Sequence, residues 1–415
     1  MTNVFVATCD LAGQTRGRAV PASREDAALR GSTGWVPADL ALTCFGPIAE
    51  NPFGSTGDLR LLPDPGTRVD VPADGDVPGT RLYLAGQALP DGTPWECCPR
   101  GFLSAAVAEL AGLGLTPVAS FEHEFTLDGL PSSLPFSFDR YRTAEPFGSD
   151  LVALLESNGF APESWLPEYG EAQHEITLAP AGALQAADRA VLLRELVRDL
   201  ARRRGLRACF APILHPDGSG NGVHIHVSFE GGKLADPDRP GGLSRAGAAF
   251  SAGILRHAAA ITAVTAPSPV SFLRLTPHRW SAGGVFLAER NREALLRICP
   301  GSPAEFNLEF RAADATANPW LALGVLLRAG LEGIRRGYEP PRVWPESVTE
   351  AELAGVPPLP KSQAEALDAL EADDVVRGFF PADLITTYLS VKRAELAALD
   401  GLDDAECCRR IADVY

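Results

Sequence analysis

The sequence predicts an α+β protein made of a small, mostly β domain at residues 1–92 and a larger domain at residues 93–415. Short strand-like runs separated by glycine and proline turns fill the first part. In the second part, apolar segments with helical spacing alternate with strands whose polar residues recur at every second position. A chain of 415 residues is long enough to bury a core in each part.

Composition and charge exclude several classes of function. The formal net charge of −16 argues against a nucleic-acid or anionic-membrane partner, because such surfaces need clustered lysine and arginine. The chain has no run of about 18 apolar residues that could span a bilayer, and its start lacks the basic and apolar regions of a signal peptide. Its eight cysteines form no CxxC pair and are predicted to be buried, reduced thiols. We expect a cytoplasmic protein.

The predicted elements of the N-terminal domain are short. A helix is expected at residues 21–29, and strands are expected at residues 4–8, 13–19, 58–64 and 80–85. Residues 70–79 are rich in proline, glycine and aspartate and are predicted to be a linker before the last of these strands. This domain carries no recognisable catalytic cluster.

The second domain is predicted to open with a helix at residues 101–113, followed by a strand at residues 116–126. Side chains on a strand alternate between its two faces, so Glu122 and Glu124 are expected on the same face. Two neighbouring carboxylates repel each other, and such a pair is rarely turned inward without a cation between them. The pair therefore predicts a divalent-metal site.

A second acidic cluster follows a helix predicted at residues 148–158. Glu168 precedes Glu175 by seven residues across a glycine-containing turn, so the two side chains can converge on one point. The alternative is that these acids cover a solvated strand edge. After them, Asp188 is predicted to cap an amphipathic helix that ends at an arginine run before Gly205.

Two later strands also carry polar side chains at alternate positions. A glycine-rich loop at residues 217–222 leads into a strand on which His224 and His226 share one face, a pattern that fits metal or phosphate contacts. The alternative for one of these histidines is a structural role. On the other strand Asn307, Glu309 and Arg311 share a face, and a helix at residues 320–333 follows.

These strands together indicate a particular chemistry. The acids and His224 suit a hard cation such as Mg²⁺ or Mn²⁺ better than Zn²⁺. Arginines facing the same cleft would neutralise phosphate and a substrate carboxylate. The acids are Glu122, Glu124, Glu168, Glu175 and Glu309, and the arginines are Arg274, Arg292, Arg297 and Arg311. This set predicts phosphoryl transfer to a carboxylate.

Five motifs, in this order, resemble the glutamine synthetase family, particularly its members that couple glutamate to amines. The motifs are Phe121-Glu122-His123-Glu124-Phe125, Glu168 with Gln173-His174-Glu175, the segment 220–226, Asn291-Arg292, and Glu309-Phe310-Arg311 with Asn318-Pro319. The resemblance begins near residue 99 and implies a catalytic domain with a curved antiparallel sheet flanked by helices, preceded by a β-grasp domain. It also implies a homo-oligomer, either a dodecamer of two hexameric rings or a decamer.

The resemblance implies a role for each matched residue. Glu124, Glu168 and Glu175 would hold the metal nearer the acceptor, and Glu122, His224 and Glu309 would hold the metal that bridges the ATP phosphates. Arg274 would grip the carboxylate of glutamate, with Ser219 and Gly220 beside it. Arg292, Arg297 and Arg311 would stabilise the transferred phosphoryl group, and the nucleotide would contact His226, Ser228, Arg297 and Asn307. Two or three Mg²⁺ or Mn²⁺ ions and ATP are therefore expected.

Three departures from the family pattern bear on the substrates. Ammonia-using members have a flap glutamate six residues after the arginine matched by Arg274, and here that residue is Trp280. Ser219 stands in place of an asparagine that contacts glutamate, and Asn307 in place of an arginine near the phosphates. We hypothesise an organic amine as the nucleophile, received by the aromatic side chain of Trp280. The alternative is that Trp280 only packs in an altered flap.

Four other functions stay open from the sequence. The protein could be a true glutamate–ammonia ligase, or a ligase that uses a different carboxylic acid, as the Ser219 substitution would allow. A non-catalytic structural or regulatory member of the family is the third, although all six matched metal positions are retained. A metal-dependent hydrolase would explain the acids and histidines but would not need the arginines.

Overall fold

The computed structural model describes residues 2–415 and confirms the α+β class, with a small N-terminal β domain and a larger mixed domain. The strands within those residues are β1 (Asn3–Cys9), β2 (Thr15–Pro21), β3 (Thr33–Trp35), β4 (Leu59–Pro63), β5 (Val69–Val71), β6 (Thr80–Ala88), β7 (Pro117–Asp128), β8 (Pro162–Pro167), β9 (Gln173–Leu178), β10 (Ala181–Gly182), β11 (Arg207–Cys209), β12 (Val223–Phe229), β13 (Gly284–Glu289), β14 (Ala294–Cys299), β15 (Asn307–Phe310) and β16 (Val343–Trp344).

The helices are mostly in the second domain. They are α1 (Glu25–Leu29), α2 (Pro99–Ala111), α3 (Phe138–Thr143), α4 (Phe147–Ser157), α5 (Ala183–Arg203), α6 (Arg245–Arg256), α7 (Ala258–Thr265), α8 (Ser271–Arg274), α9 (Pro319–Arg336), α10 (Glu350–Leu353), α11 (Gln363–Ala372), α12 (Asp374–Arg377), α13 (Ala382–Ala397) and α14 (Asp404–Ala412). Helices predicted at 101–113, 148–158 and 320–333 correspond to α2, α4 and α9, whereas no helix was predicted where α3 lies.

The N-terminal domain is a six-stranded sheet with the order β2-β1-β6-β4-β3, and β5 also pairs with β6. Alternate residues of its strands, such as Val4, Val6, Leu59 and Leu61, form one buried cluster, as strand periodicity requires. Part of the predicted linker at residues 70–79 is strand, because β5 pairs with β6 over Val69–Val71. The two strands are neighbours in the chain and pair across residues 72–79, and the proline, glycine and aspartate content of the segment hid this pairing.

The second domain is built on a ten-stranded sheet with the order β16-β13-β14-β15-β12-β7-β9-β8. The four strands that carry the polar pairs, β15, β12, β7 and β9, are consecutive in that order, and their pairings are antiparallel. The expected antiparallel sheet is therefore correct at its centre. At one edge it is not, because β13 pairs in parallel with both β14 and β16.

Helix α5 packs an apolar face against this sheet, with Leu193, Leu196 and Val197 buried. The prediction that Asp188 caps the helix is wrong, since α5 begins at Ala183 and its N-cap is Gly182. Asp188 lies one turn further in, where its carboxylate accepts hydrogen bonds from Arg100 and from the indole Nε1 of Trp320. A buried carboxylate needs such partners, so this aspartate stabilises the packing between helices and does not start α5. Gly205 adopts φ +70° just after the helix, as predicted.

The cysteines agree with the prediction of reduced thiols. All eight cysteines have free thiols, and six of them are buried.

Among residues 2–415, no single helix has the length and apolar character needed to cross a bilayer, and α6 and α7 satisfy those limits only when counted together across a 77° bend. Both helices bury apolar residues such as Phe250 and Ile261 in the main core.

Candidate active site

The register of the central strands places the predicted site residues in rows across the sheet. Glu122 on β7 lies opposite His224 on β12, and Glu124 lies opposite Glu175 on β9. In the next row, Glu309 on β15 lies between His226 and Arg297. Residues directly opposite each other on neighbouring strands have their side chains about 5 Å apart. The sheet therefore gathers, on one face, residues from four separate segments of the chain.

One end of this face can hold a cation. Ligand atoms of Glu122, His226 and Glu309 all lie within 4.8 Å of one another. His224 is close as well, since its Nδ1 lies 2.9 Å from Glu122 Oε2 and 3.7 Å from Glu309 Oε1. The tight trio contains His226, which the sequence assigned to the nucleotide, whereas His224 was the predicted ligand. Both imidazoles face the same carboxylates, and the assignment of His224 as a ligand stays a prediction.

The charge state of these carboxylates follows from their surroundings. Burial opposes ionisation of Glu122, but hydrogen bonds from His224 and His226 lower its pKa below the usual range. Burial also opposes ionisation of Glu309, yet the positive charge of Arg311 lowers its pKa to about 2. Both side chains are therefore anionic at neutral pH and can serve as metal ligands.

The adjoining carboxylates repel one another. Burial and the charges of Glu122, Glu124 and Glu168 all raise the pKa of Glu175, and burial raises the pKa of Glu168. Carboxylate oxygens, which are most of the ligand atoms here, are the donors that Mg²⁺ and Mn²⁺ prefer, and a divalent cation would remove the repulsion. The residues present therefore fit the divalent metals predicted for this site.

Two of the predicted arginines, Arg297 and Arg311, bind the carboxylate of Glu309. Arg297 Nη1 lies 2.7 Å from Glu309 Oε2, and Arg311 Nη1 bonds to the other oxygen of Glu309. Arg311 also donates from Nη2 to the Trp280 carbonyl and from Nε to the Arg292 carbonyl, both at 2.9 Å. The side chain of Arg292 is itself exposed. Arg311 thus links the metal end of the site to the loop that carries Trp280.

Two cavities are lined in part by residues of β7. One, of about 480 Å³, is lined by Glu124, Glu168, Tyr169, Ser219, Gly220, Arg274 and Trp280, among others. The other, of about 700 Å³, is lined by Glu122, Glu175, His226, Ser228 and Asn307, among others. We call them the acceptor cavity and the nucleotide cavity. The structure therefore brings the predicted substrate residues to one cavity and the predicted nucleotide residues other than Arg297 to the other.

Arg274 is held rigidly at the acceptor cavity. Its Nη2 donates to the carbonyls of Ala312 and Ala313 at 2.6 and 2.8 Å, and the residue is 3% exposed. A β-carbon added at Gly222 would meet Arg274 Nη1 at 3.1 Å and His224 Nε2 at 3.2 Å. The absence of a side chain at Gly222 therefore leaves room for a ligand atom between these groups.

Sequence analysis did not foresee three residues that organise the site. Gln173 Nε2 donates to the Gly220 carbonyl and the Asn221 side chain at 2.8 and 3.0 Å, which joins β9 to the glycine-rich loop. Arg140 donates to the carbonyls of Glu168 and Gly170 and so fixes the loop that carries Glu168. Glu293 accepts hydrogen bonds from the loop around Trp280. Gln173 lies within one of the five motifs, so the sequence contained a signal for it. Arg140 and Glu293 lie outside those motifs.

Metal-free protein is expected to lose stability as the pH rises from about 4.5 to 9, through Glu175 over the whole range and also through His226 above about 6.5. The pKa of Glu175 is raised for the reasons given above. Burial lowers the pKa of His226, but hydrogen bonds and the negative charge of Glu122 raise it by more, so its pKa lies above the usual value. Both groups bind protons more tightly when folded, so their contribution is lost as the pH rises through the folded-state pKa values. The slope for each is up to about 1.4 kcal/mol per pH unit.

Urea unfolding in the presence of a chelator tests this expectation. Glu175→Gln should flatten the dependence of the free energy of unfolding on pH, because an amide cannot ionise. Glu332→Gln is the matched control, since Glu332 pairs with Arg336 on α9 away from the site. Identical slopes for wild type and Glu175→Gln would show that Glu175 keeps an ordinary pKa.

Comparisons with known proteins agree with this arrangement. The family "Glutamine synthetase N-terminal domain" matches residues 2–95, and "Glutamine synthetase, catalytic domain" matches residues 96–407. These matches meet near the predicted boundary between residues 92 and 93, which stays a prediction.

Relatives of known name extend over nearly the whole chain. The γ-glutamylpolyamine synthetase of Streptomyces coelicolor is 33% identical over 435 residues, which cover 97% of this chain and 91% of that protein. The glutamine synthetase of Pyrococcus abyssi is 32% identical over 402 residues, which cover 93% and 88%. The crystal structure of a novel glutamine synthase homolog superposes with a TM-score of 0.92 at 44% identity, covering 100% of this chain and 98% of the other.

Proposed function

Because the chain belongs to the glutamine synthetase family, as its five motifs indicated, we propose that this ATP-dependent ligase phosphorylates the γ-carboxylate of glutamate and joins it to an organic amine. The observation that carries the choice of amine is the side chain of Trp280. It is 62% exposed in the wall of the acceptor cavity. The family resemblance implies a glutamate at this position in members that use ammonia.

The acceptor cavity can bind the carboxylate group of an acid substrate. Arg274 supplies a fixed positive charge there, because its guanidinium is held by two backbone carbonyls. The backbone of Gly220 lies against the Arg274 side chain, and Ser219 lines the same cavity. A buried arginine whose geometry is fixed in this way suits a planar carboxylate. We assign it the α-carboxylate of glutamate, which leaves the γ-carboxylate for phosphorylation.

The reaction has two steps. The γ-carboxylate attacks the terminal phosphorus of ATP, which gives an acyl phosphate and ADP, and the amine nitrogen then attacks the acyl carbon and expels phosphate. Glu122, Glu124, Glu168, Glu175, Glu309 and one or both of His224 and His226 would hold the divalent cations. When bound, those ions neutralise charge on the phosphates. Arg297 and Arg311, beside Glu309, place further positive charge where the phosphoryl group transfers.

The mouth of the acceptor cavity suits the carbon chain of an amine. The rings of Tyr169 and Trp280 lie 6.2 Å apart between centroids, and both are more than 60% exposed. Apolar surface left open at a cavity mouth is available for contact with a ligand. The same wall contains the carboxylate of Asp217. Its charge favours an amine with a second, cationic nitrogen, which the rings can also bind through cation–π contact.

A panel of nucleophiles tests the proposal. Purified protein with ATP, Mg²⁺ and glutamate should release phosphate with a kcat/KM at least about tenfold higher for an alkyl amine or diamine than for ammonium. Trp280→Ala should abolish most of this preference while leaving the rate with ammonium nearly unchanged. Phe138→Ala is the control, because Phe138 is also an exposed aromatic residue, at 76% exposure. Ammonium as the best nucleophile would refute the amine assignment.

The same assay separates the remaining functions. Replacing glutamate with other dicarboxylic acids and amino acids shows whether the acid differs, as Ser219 would allow. A protein that binds no nucleotide in calorimetry with ATP and Mg²⁺ would be a non-catalytic member. Release of phosphate without any amine would favour hydrolysis. We also propose a homo-oligomeric ring, a dodecamer or a decamer, which light scattering on the purified protein measures directly.

A further inference from the structure

We propose that Glu293 is a positioning residue that holds the flap, residues 276–283, in the conformation that keeps Trp280 in the wall of the acceptor cavity, and that it thereby sets the affinity for the amine. The inference rests on the proposed function for its kinetic consequence. Its structural part, the grip of Glu293 on the flap, stands on contacts within this chain alone.

The contacts between Glu293 and the flap are all to the backbone. Oε1 of Glu293 accepts a hydrogen bond from the Trp280 N–H at 2.9 Å, and Oε2 accepts one from the His278 N–H at 3.2 Å. The carbonyl of Glu293 accepts a third, from the Gly283 N–H, at 2.9 Å. A carboxylate is a stronger acceptor of such bonds than a neutral group. One residue therefore holds the flap at three points.

The two residues whose N–H groups bind the Glu293 carboxylate have strained backbone conformations. His278 has φ +67° and Trp280 has φ +51°, in the left-handed region that side chains other than glycine rarely adopt. Such conformations persist only where the surroundings impose them. Glu293 bonds to the N–H of both strained residues. Arg311 Nη2 holds the Trp280 carbonyl at 2.9 Å, so both polar backbone groups of Trp280 are bound.

The site of Glu293 is itself prepared for this contact. Its N–H donates to Asn291 Oδ1 at 2.9 Å, and Asn291 Nδ2 donates to the Glu346 carbonyl at 3.0 Å, which fixes the turn before β14. A β-carbon at residue 283 would lie 2.9 Å from Glu293 Oε2. Glycine at that position therefore leaves the carboxylate the space it occupies against the flap.

Kinetics of Glu293 variants test the proposal in the full-length protein. Glu293→Ala removes both acceptors and should raise the KM for the amine about tenfold, while Glu293→Gln keeps one acceptor and should raise it about threefold. The KM values for ATP and glutamate should stay within about twofold of wild type. Glu332→Ala, which removes a surface ion pair with Arg336, is the control. A variant that merely folds less well would lower kcat and leave every KM unchanged, and that pattern would overturn the proposal.

A second readout needs no substrate. Trp280 is more exposed than the buried Trp35, Trp320 and Trp344, and subtracting the emission of Trp280→Phe isolates its fluorescence. Glu293→Ala should change the quenching of this signal by acrylamide, whereas Glu332→Ala should not. Unchanged quenching would refute the proposal that Glu293 holds the flap in place. If the wild type uses no amine at all, the proposed function fails, and the quenching result still decides the role of Glu293.

Discussion

Arg311→Lys is expected to lower kcat by about a hundredfold to a thousandfold, although it preserves the charge. Arg311 uses three nitrogens at once, on Glu309, on the carbonyl of Trp280 and on the carbonyl of Arg292. A lysine ammonium is a point charge on a flexible chain and cannot reproduce this fork. The variant should therefore both loosen the flap and misplace the positive charge beside Glu309. ATP-dependent phosphate release with saturating amine measures the loss.

Arg335→Lys is the matched control for this change. Arg335 binds Glu109 at 2.9 Å on the outer part of α9, and its side chain is half exposed. The same substitution there should leave kcat within about twofold, because exposed ion pairs contribute little to stability. Circular dichroism of Arg311→Lys must show the wild-type fold for the comparison to hold. A folded Arg311→Lys protein with near-normal kcat would show that Arg311 has no role in phosphoryl transfer.

Gly220→Ala is expected to lower kcat/KM for the acid by about a hundredfold through displacement of a neighbouring side chain. A β-carbon at residue 220 would lie 2.4 Å from Cγ and 2.6 Å from Cδ of Arg274, and 2.9 Å from the Pro212 carbonyl. Arg274 cannot yield without breaking its bonds to Ala312 and Ala313. Its guanidinium should therefore shift, and the loss should appear mainly in the KM for the acid.

Gly86→Ala provides the control for Gly220→Ala. A β-carbon at Gly86, in strand β6, meets no atom within 4 Å, so the same change should leave every kinetic constant unaltered. Steady-state kinetics with the acid varied at saturating ATP and amine compares the two variants. If Gly220→Ala changed the KM for ATP and not the KM for the acid, Arg274 would serve the nucleotide and its assignment to the acid would be wrong.

The chemistry of the site was largely predictable because strands have a period of two residues. The alternation placed Glu122 with Glu124, and His224 with His226, on common faces, and the structure has them there. The order β15-β12-β7-β9 was not readable, since pairing between distant segments leaves no local signal. The motif order of a known family predicted instead that these residues share one site, without giving the order of the strands.

What sequence reasoning missed depends on contacts with the backbone. Glu293 and Arg140 act on carbonyl and N–H groups of loops, and no residue pattern encodes which backbone group a side chain will reach. Asp188 was misassigned for a related reason. Its true partners, Arg100 and Trp320, are each more than eighty residues away in the chain, whereas capping arguments consider only the nearest turn.

The two cavities to which β7 contributes differ in the elements that line them. The nucleotide cavity and the metal-side residues are built on paired strands, where a substitution disturbs several neighbours at once. Tyr169, Trp280 and the glycine-rich segment lie instead on loops around the acceptor cavity. Loops accept changes that strands do not. Under the proposed function, substitutions at the mouth of the acceptor cavity would change the nucleophile and leave the residues assigned to phosphoryl transfer unaltered.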